Sequence, residues 1–264
     1  MKKYLVIGNP IEHSLSPRVH NFWFKENNIK AIYEKKKLDN NGLKDLVLDL
    51  RKKKINGVNV TIPFKKEIIA HVNELSPESE NTQSVNTIYL KEDKVIGHNT
   101  DIEGFELSVK EKNYDLLKKK ILILGAGGVV PSIIFALKKM KVKNIIISNR
   151  TRGKAEDLKI LFNDLEVIDW GSIPDVDMII NATSLGLKKD DEIDLDFSKF
   201  EGKKFFYDII YNPEETNFLK VGKKLDCITE NGKKMFIYQA AASFKIWHGI
   251  QPQINNELIK LLNK

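Results

Sequence analysis

Apolar positions recur along the chain in two rhythms. Short, nearly continuous apolar runs at 4–8 ("YLVIG"), 31–38 ("AIYEKKKL"), 57–62 ("GVNVTI"), 84–90 ("SVNTIYL") and 94–99 ("KVIGHN") predict strands. Between the first four lie stretches with apolar residues at helical spacing, from Ser16 to about Asn27, at about 41–53 and at about 64–73. Strands alternating with helices of this length predict a mostly parallel α/β sheet. The connection "LKEDK" is too short for a crossover, so the last two runs are expected to form an antiparallel hairpin at a sheet edge.

A helix expected from Asp101 to about Leu117 leads into a second α/β series. Its strands are expected at 121–125, 144–148, 165–169, 178–183, 205–211 and 225–229, and the uninterrupted apolar character of "ILIL" and "IIIS" suggests cover on both faces. An amphipathic stretch at 231–248 follows, and then "QPQINNELIKLLNK", where Pro252 marks a break between two helices. These last helices have no sheet of their own to cover, so they are expected to return to the first domain. The pattern therefore predicts two α/β domains, 1–103 plus 238–264 and 104–237. The first is expected to carry a mixed, mostly parallel sheet, with the active site in the cleft between the two.

Composition narrows the function classes. Of 264 residues, 42% are hydrophobic, which is the globular range. The single cysteine, Cys227, excludes an internal disulfide and fits a reducing cytoplasm. It is expected as a small buried hydrophobe in a short strand. No Cys/His cluster suggests a metal, and no apolar run approaches the length of a secretory or membrane-spanning segment. The net charge of +7 comes from lysines scattered beside turns and on polar helix faces, without a basic stripe interleaved with aromatics. Neither nucleic acid nor membrane is expected as a partner; a small-molecule substrate is, and the chain is read as a monomer or homodimer.

Two segments carry chemistry that can be argued from physics. "ILILGAGGVVPSIIFAL" runs strand, glycine turn, helix; Gly125, Gly127 and Gly128 allow a tight turn and close approach of backbone N–H groups to a pyrophosphate at the helix N-terminus. This is the Rossmann arrangement, and the third small position is held by the bulkier Val130. An NAD site normally presents an acid at the end of the next strand. Here "NIIISNRTRGKAE" offers Asn149, Arg150, Thr151, Arg152 and Lys154 instead, a set suited to a 2′-phosphate and therefore to NADP. The loop "NATSLGL" at 181–187 follows a buried strand, where it could line the nicotinamide side or simply form an Asx or Ser/Thr turn.

Several motifs in order resemble the shikimate dehydrogenase family over essentially the whole chain. They are "SLSP" (14–17) with "HN" (20–21), "NVTIPFK" (59–65), "VNT" (85–87), "GHNTDIEG" (97–104), "GAGG" (125–128), "NRT" (149–151), "NATSLGL" (181–187), "DIIYNPEET" (208–216) and "NGKKMFIYQA" (231–240). The resemblance implies NADP(H)-dependent reduction of 3-dehydroshikimate to shikimate, on the route to chorismate and the aromatic amino acids, with no metal. It implies Lys65 and Asp101 as the catalytic pair, and Ser14 and Ser16 as holders of the substrate carboxylate. Thr61, Lys65, Asn86, Asp101, Tyr211 and Gln239 would meet the carboxylate or ring hydroxyls. Gly125, Ala126, Gly127, Gly128 and Val129 would carry the pyrophosphate, and Asn149, Arg150, Thr151 and Lys154 the adenosine side. Thr183, Ile209, Gly232 and Met235 would surround the nicotinamide. The alternative within the family is a quinate/shikimate dehydrogenase using NAD, expected to carry the acid that "SNRT" lacks.

Taken singly, these residues have plainer readings. Thr61 could be an ordinary strand residue, Asp101 a helix cap, and Ser14 and Ser16 turn residues ahead of Pro17. His20 lies on a predicted helix and reads as structural, and Lys66 as solvated surface. Ser84 stands where the family commonly has glycine, and "GAGGVV" is bulkier than the usual "GAGGAA".

Overall fold

The computed structural model describes residues 1–39, 41–188, 191–198, 200 and 202–263. Contacts divide the chain into two compact units, Met1–Gly104 with Ile237–Lys264 and Phe105–Phe236. Residue 264, the last of the predicted first domain, lies outside the described residues.

The first unit is built on a six-stranded sheet in the order β2-β1-β3-β5-β6-β4. The strands are β1 (Lys2–Gly8), β2 (Ala31–Lys37), β3 (Gly57–Val60), β4 (Glu74–Leu75), β5 (Thr87–Lys91) and β6 (Lys94–His98). β1 pairs parallel with β2 and β3, whereas β5 runs antiparallel to both β3 and β6. The predicted hairpin, β5–β6, is therefore present but does not form the edge. The two-residue β4 pairs parallel with β6 outside it; its length left no apolar run to detect.

Helix α1 (Ser16–Glu26) and helix α2 (Gly42–Arg51) connect the first three strands. α2 turns Leu43, Leu46, Val47 and Leu50 onto one face, against Leu5 and Ile7 of β1 and Val58 and Val60 of β3. Instead of the helix predicted at 64–73 there is a turn at 62–66 and a short 3-10 helix, Glu67–His71. The Lys65 carbonyl accepts from Val85 N, so Ile69 N bonds Lys66 O three residues back. The short α3 (Pro77–Thr82), capped by Ser76, was not predicted.

Helix α4 (Asp101–Lys110) passes into the second unit. It stops short of the predicted Leu117 because a turn follows at 111–113 and Asn113 takes a left-handed φ of 53°. The strands of this unit are β7 (Lys120–Leu124), β8 (Asn144–Ser148), β9 (Leu165–Ile168), β10 (Met178–Asn181), β11 (Phe205–Asp208) and β12 (Ile228–Glu230). They pair parallel throughout in the order β12-β11-β10-β7-β8-β9. The chain reverses its direction of travel across the sheet between β7 and β10, the switch point at which such sheets bind dinucleotides. Helix α5 (Val130–Lys139) follows β7, α6 (Arg152–Leu161) follows β8, and α7 (Asn217–Lys224) lies between β11 and β12. α7 was not predicted, and its C-terminal turn uses residues expected in a strand: Cys227 N bonds Gly222 O and Asp226 is left-handed. Cys227 accordingly lies just before β12, only partly buried, rather than inside a strand.

Helix α8 (Lys233–His248) carries the chain back to the first unit, where α9 (Asn256–Leu262) ends it. Phe244, Trp247 and His248 of α8 pack with Tyr4 of β1 and with His20, Trp23 and Phe24 of α1 in one aromatic layer. His20 is a core residue there: fully buried, with both ring nitrogens unpartnered among the described residues. Burial pushes its pKa down to about 3.

Candidate active site

Strand direction gathers the polar cluster of the first unit. β1 and β3 run parallel and β5 opposes them, so the carboxyl ends of β1, β3 and β6 coincide with the amino end of β5. Thr61 follows β3, Asn86 precedes β5, and Thr100 and Asp101 follow β6. Backbone bonds tie these ends together: Val60 N donates to Asn86 O at 2.8 Å, and Asn86 N to His98 O at 3.0 Å.

Lys65 is aimed by its neighbours. β3 ends at Val60, Phe64 N bonds back to Thr61 O at 2.9 Å, and the fully buried Phe64 and Ile68 pin the turn to the core. Lys65 Nζ then donates to Asp101 Oδ2 at 2.6 Å, with side-chain exposures of 12% and 9%. Asp101 Oδ1 accepts from Asn86 Nδ2 at 2.9 Å. Asp101 does not act as a helix cap: its oxygens serve side chains, while Asn99 Oδ1 accepts from its backbone N. Lys66, the adjacent ammonium, is exposed.

Asn86 is the hub. Its Oδ1 accepts from Thr100 N at 2.8 Å and its Nδ2 also reaches Gln239 Oε1 of α8 at 3.4 Å. Ser14 and Ser16 stand at the start of α1, with Ser14 Oγ donating to Ser16 Oγ at 3.2 Å. The first unit thus holds seven of the predicted substrate residues; Tyr211 belongs to the second unit, stacked on Phe236 with centroids 4.9 Å apart.

In the second unit the glycine turn is enforced by backbone. Gly125 has φ of +108°, donates to Ser148 O at 2.8 Å, and would drive a Cβ to 2.7 Å from Ala182 O. Gly128 has open space around any Cβ, and Val129, the N-cap residue of α5, provides no side-chain cap. A glycine cradle opening onto an uncapped helix N-terminus fits a pyrophosphate. After β8, Arg152 is held by Glu156 at 3.2 Å and by Asp169, whereas Arg150 and Lys154 are exposed and have no ion pair among the described residues. Asn149 Nδ2 donates to Thr151 O at 2.8 Å.

The loop after β10 is an Asx/Thr turn: Thr183 N and Oγ1 both donate to Asn181 Oδ1, and Leu185 N donates to Thr183 Oγ1. Asp208, which the sequence reading did not single out, braces this loop against the next one. Its Oδ1 accepts from Asn181 Nδ2 at 3.1 Å and Ile210 N at 3.0 Å, and its Oδ2 from Thr216 Oγ1 at 2.6 Å. Burial raises its pKa to about 6 against those hydrogen bonds. Gly232 lies on the same edge, where a Cβ would stand 1.9 Å from Ile209 O; Met235 is buried one turn on. Asp208 and Asn59 share a signal that could have marked them, a polar residue inside an otherwise apolar buried strand.

A parallel sheet in this order, with a glycine turn at its switch point, belongs to the dinucleotide-binding class of α/β folds. Comparison with known proteins makes the class specific. Residues 6–88 match the shikimate dehydrogenase substrate binding domain, 107–209 the shikimate/quinate 5-dehydrogenase domain, and 234–255 the shikimate 5′-dehydrogenase C-terminal domain. The chain is 57% identical to the shikimate dehydrogenase (NADP(+)) of Pelagibacter ubique over 99% of both chains. It superposes on the crystal structure of Aquifex aeolicus shikimate dehydrogenase with a TM-score of 0.92 at 32% identity, covering 100% of this chain and 98% of the other. Thermus thermophilus shikimate 5-dehydrogenase, solved in complex with NADP(H) and shikimate, gives 0.91 at 29% identity, covering 100% and 99%. The chain belongs to the shikimate dehydrogenase family.

Proposed function

We propose that the protein catalyses the reversible NADP-dependent reduction of 3-dehydroshikimate to shikimate, within the pathway to chorismate and the aromatic amino acids. The observation that carries this reading is the sequestered Lys65–Asp101 pair, with Asn86 on the second carboxylate oxygen. Bound NADPH supplies a hydride to the ketone carbon, which leaves negative charge on the carbonyl oxygen. Lys65 meets that charge: an ammonium carries three N–H donors, Asp101 takes one, and another can give its proton to the forming alkoxide. Little water reaches the pair, so the charge stabilisation is stronger than at an exposed lysine. Asp101 holds the ammonium in one direction and keeps acceptor capacity for a neighbouring ring hydroxyl.

The remaining residues bind. Ser14 and Ser16 hold the substrate carboxylate, and Thr61, Asn86, Tyr211 and Gln239 meet the carboxylate or ring hydroxyls. Several neutral donors and acceptors make a site that rejects analogues leaving them unpaired. For the cofactor, Gly125 to Val129 receive the pyrophosphate, Arg150 and Lys154 the 2′-phosphate with Asn149 and Thr151 beside them, and Thr183, Ile209, Gly232 and Met235 the nicotinamide. The unpaired state of Arg150 and Lys154 supports NADP, because Arg152 already has carboxylate partners. We read the enzyme as cytoplasmic and as a monomer or homodimer. Incubation with NADPH and either 3-dehydroshikimate or 3-dehydroquinate, with product identified by mass, tests the assignment. Shikimate is the product expected; quinate alone would refute it.

A further inference from the structure

A directed chain of hydrogen bonds in the first unit runs from Tyr33 to Asp101, and it starts at a residue that has no role in the proposed reaction. Its direction follows from a backbone group. Thr100 N can only donate, so Asn86 presents Oδ1 to it and Nδ2 to the Asp101 carboxylate. Thr87 Oγ1 must then donate to Asn86 Oδ1, at 3.0 Å, and it accepts from Asn59 Nδ2, also at 3.0 Å. Asn59 Nδ2 shares itself with the Asn86 carbonyl at 3.2 Å, which leaves Asn59 Oδ1 facing the Tyr33 hydroxyl at 2.6 Å. Tyr33 therefore donates to Asn59.

Tyr33 is 1% exposed, and its ring stacks on His20 with centroids 4.3 Å apart. A phenylalanine would fill that aromatic layer without burying a hydroxyl, and a buried hydroxyl costs free energy unless it is paired. The hydroxyl is thus accounted for by what it bonds, Asn59 Oδ1 at 2.6 Å. We propose that the Tyr33 hydroxyl is a positioning group for the substrate. Through Asn59 and Thr87 it holds the Asn86 amide in the orientation that turns Nδ2 toward Asp101. Members of such a chain polarise one another, so removing the Tyr33 hydroxyl weakens the hold on Asn86. The inference rests on the proposed function.

The test begins with wild-type turnover of shikimate with NADP; its absence would remove the proposed function and this inference with it. With turnover established, Tyr33→Phe deletes one oxygen and keeps the ring. Constants are expressed per folded site, counted by NADPH fluorescence titration. We expect kcat/KM for shikimate to fall roughly five- to thirty-fold, the scale of one buried hydrogen bond lost, while KM for NADP stays constant. A lowered melting temperature with unchanged constants per folded site overturns the proposal and leaves Tyr33 as packing alone. In the double variant Tyr33→Phe/Thr87→Val, a loss smaller than the product of the single losses supports the coupling, and a loss equal to that product overturns it. Asn59→Ala cuts the same chain one link later and takes the place of Tyr33→Phe if that variant does not fold, with the same outcomes.

Discussion

The two units prepare their candidate sites by different means. Around Asp101 the first unit uses side chains, and each polar group is given a partner by another. In the second unit backbone does most of the work: a glycine turn against Ala182 O, a glycine against Ile209 O, and loops folded on their own Asn and Thr side chains. A side-chain site can be adjusted atom by atom, so its variants should show themselves in rates with little change elsewhere. A backbone site has no such freedom, and adding even one carbon should move the chain. The difference fits the ligands proposed. A small polyol acid is recognised through its own hydroxyls, whereas a pyrophosphate is met by rows of N–H groups.

The largest effect should come from Lys65→Met, which keeps length and removes the charge. We expect kcat to fall by at least about a thousand-fold with NADPH affinity unchanged, as read by steady-state kinetics and fluorescence titration. Lys66→Ala, one residue away on exposed surface, should match wild type. Gly232→Ala probes the other kind of site. A Cβ at 1.9 Å from Ile209 O forces the backbone to shift, at a cost of about 3 kcal/mol, so a lower melting temperature and weaker NADPH binding should appear together. An unchanged melt and titration would erase the contrast between the units.

Arg150→Ala should raise KM for NADPH roughly ten-fold or more while leaving that for NADH alone, since a charge-assisted bond to phosphate is worth about 1.5–3 kcal/mol. The smallest effect concerns His20, and it bears on stability alone. Its folded pKa lies near 3 against an ordinary 6.5, so the unfolded chain binds the proton more readily. Its contribution is fully present above the unfolded pKa and is lost as pH falls toward the folded one. That amounts to about 2 kcal/mol by pH 5. His20→Leu should flatten that part of the denaturation profile. His248, also depressed, to about 4, leaves part of the slope in place.

Much of this was legible in the sequence, for identifiable reasons. Apolar runs such as 121–124 and 145–147, short and rich in isoleucine, favour doubly covered strands, and β7 and β8 fall on them. The short β4 and α3, and α7 close to its neighbouring strand, lacked the length that makes a period visible. The helix expected at 64–73 failed because a distant residue, Val85, takes the Lys65 carbonyl, which no local pattern encodes. The same holds for the sites. "NVTIPFK" and "GHNTDIEG" could be marked as motifs, but nothing local says that Asn59 faces Tyr33 twenty-six positions away, or that Asp208 joins two loops. Those facts arise from pairing register.

The most direct test of the central claim is a four-way comparison of kcat/KM, with shikimate or quinate as substrate and NADP or NAD as cofactor. The account predicts that shikimate with NADP exceeds each other combination by at least about ten-fold. Quinate with NAD as the preferred pair would contradict both the reading of the substrate cluster and that of Arg150.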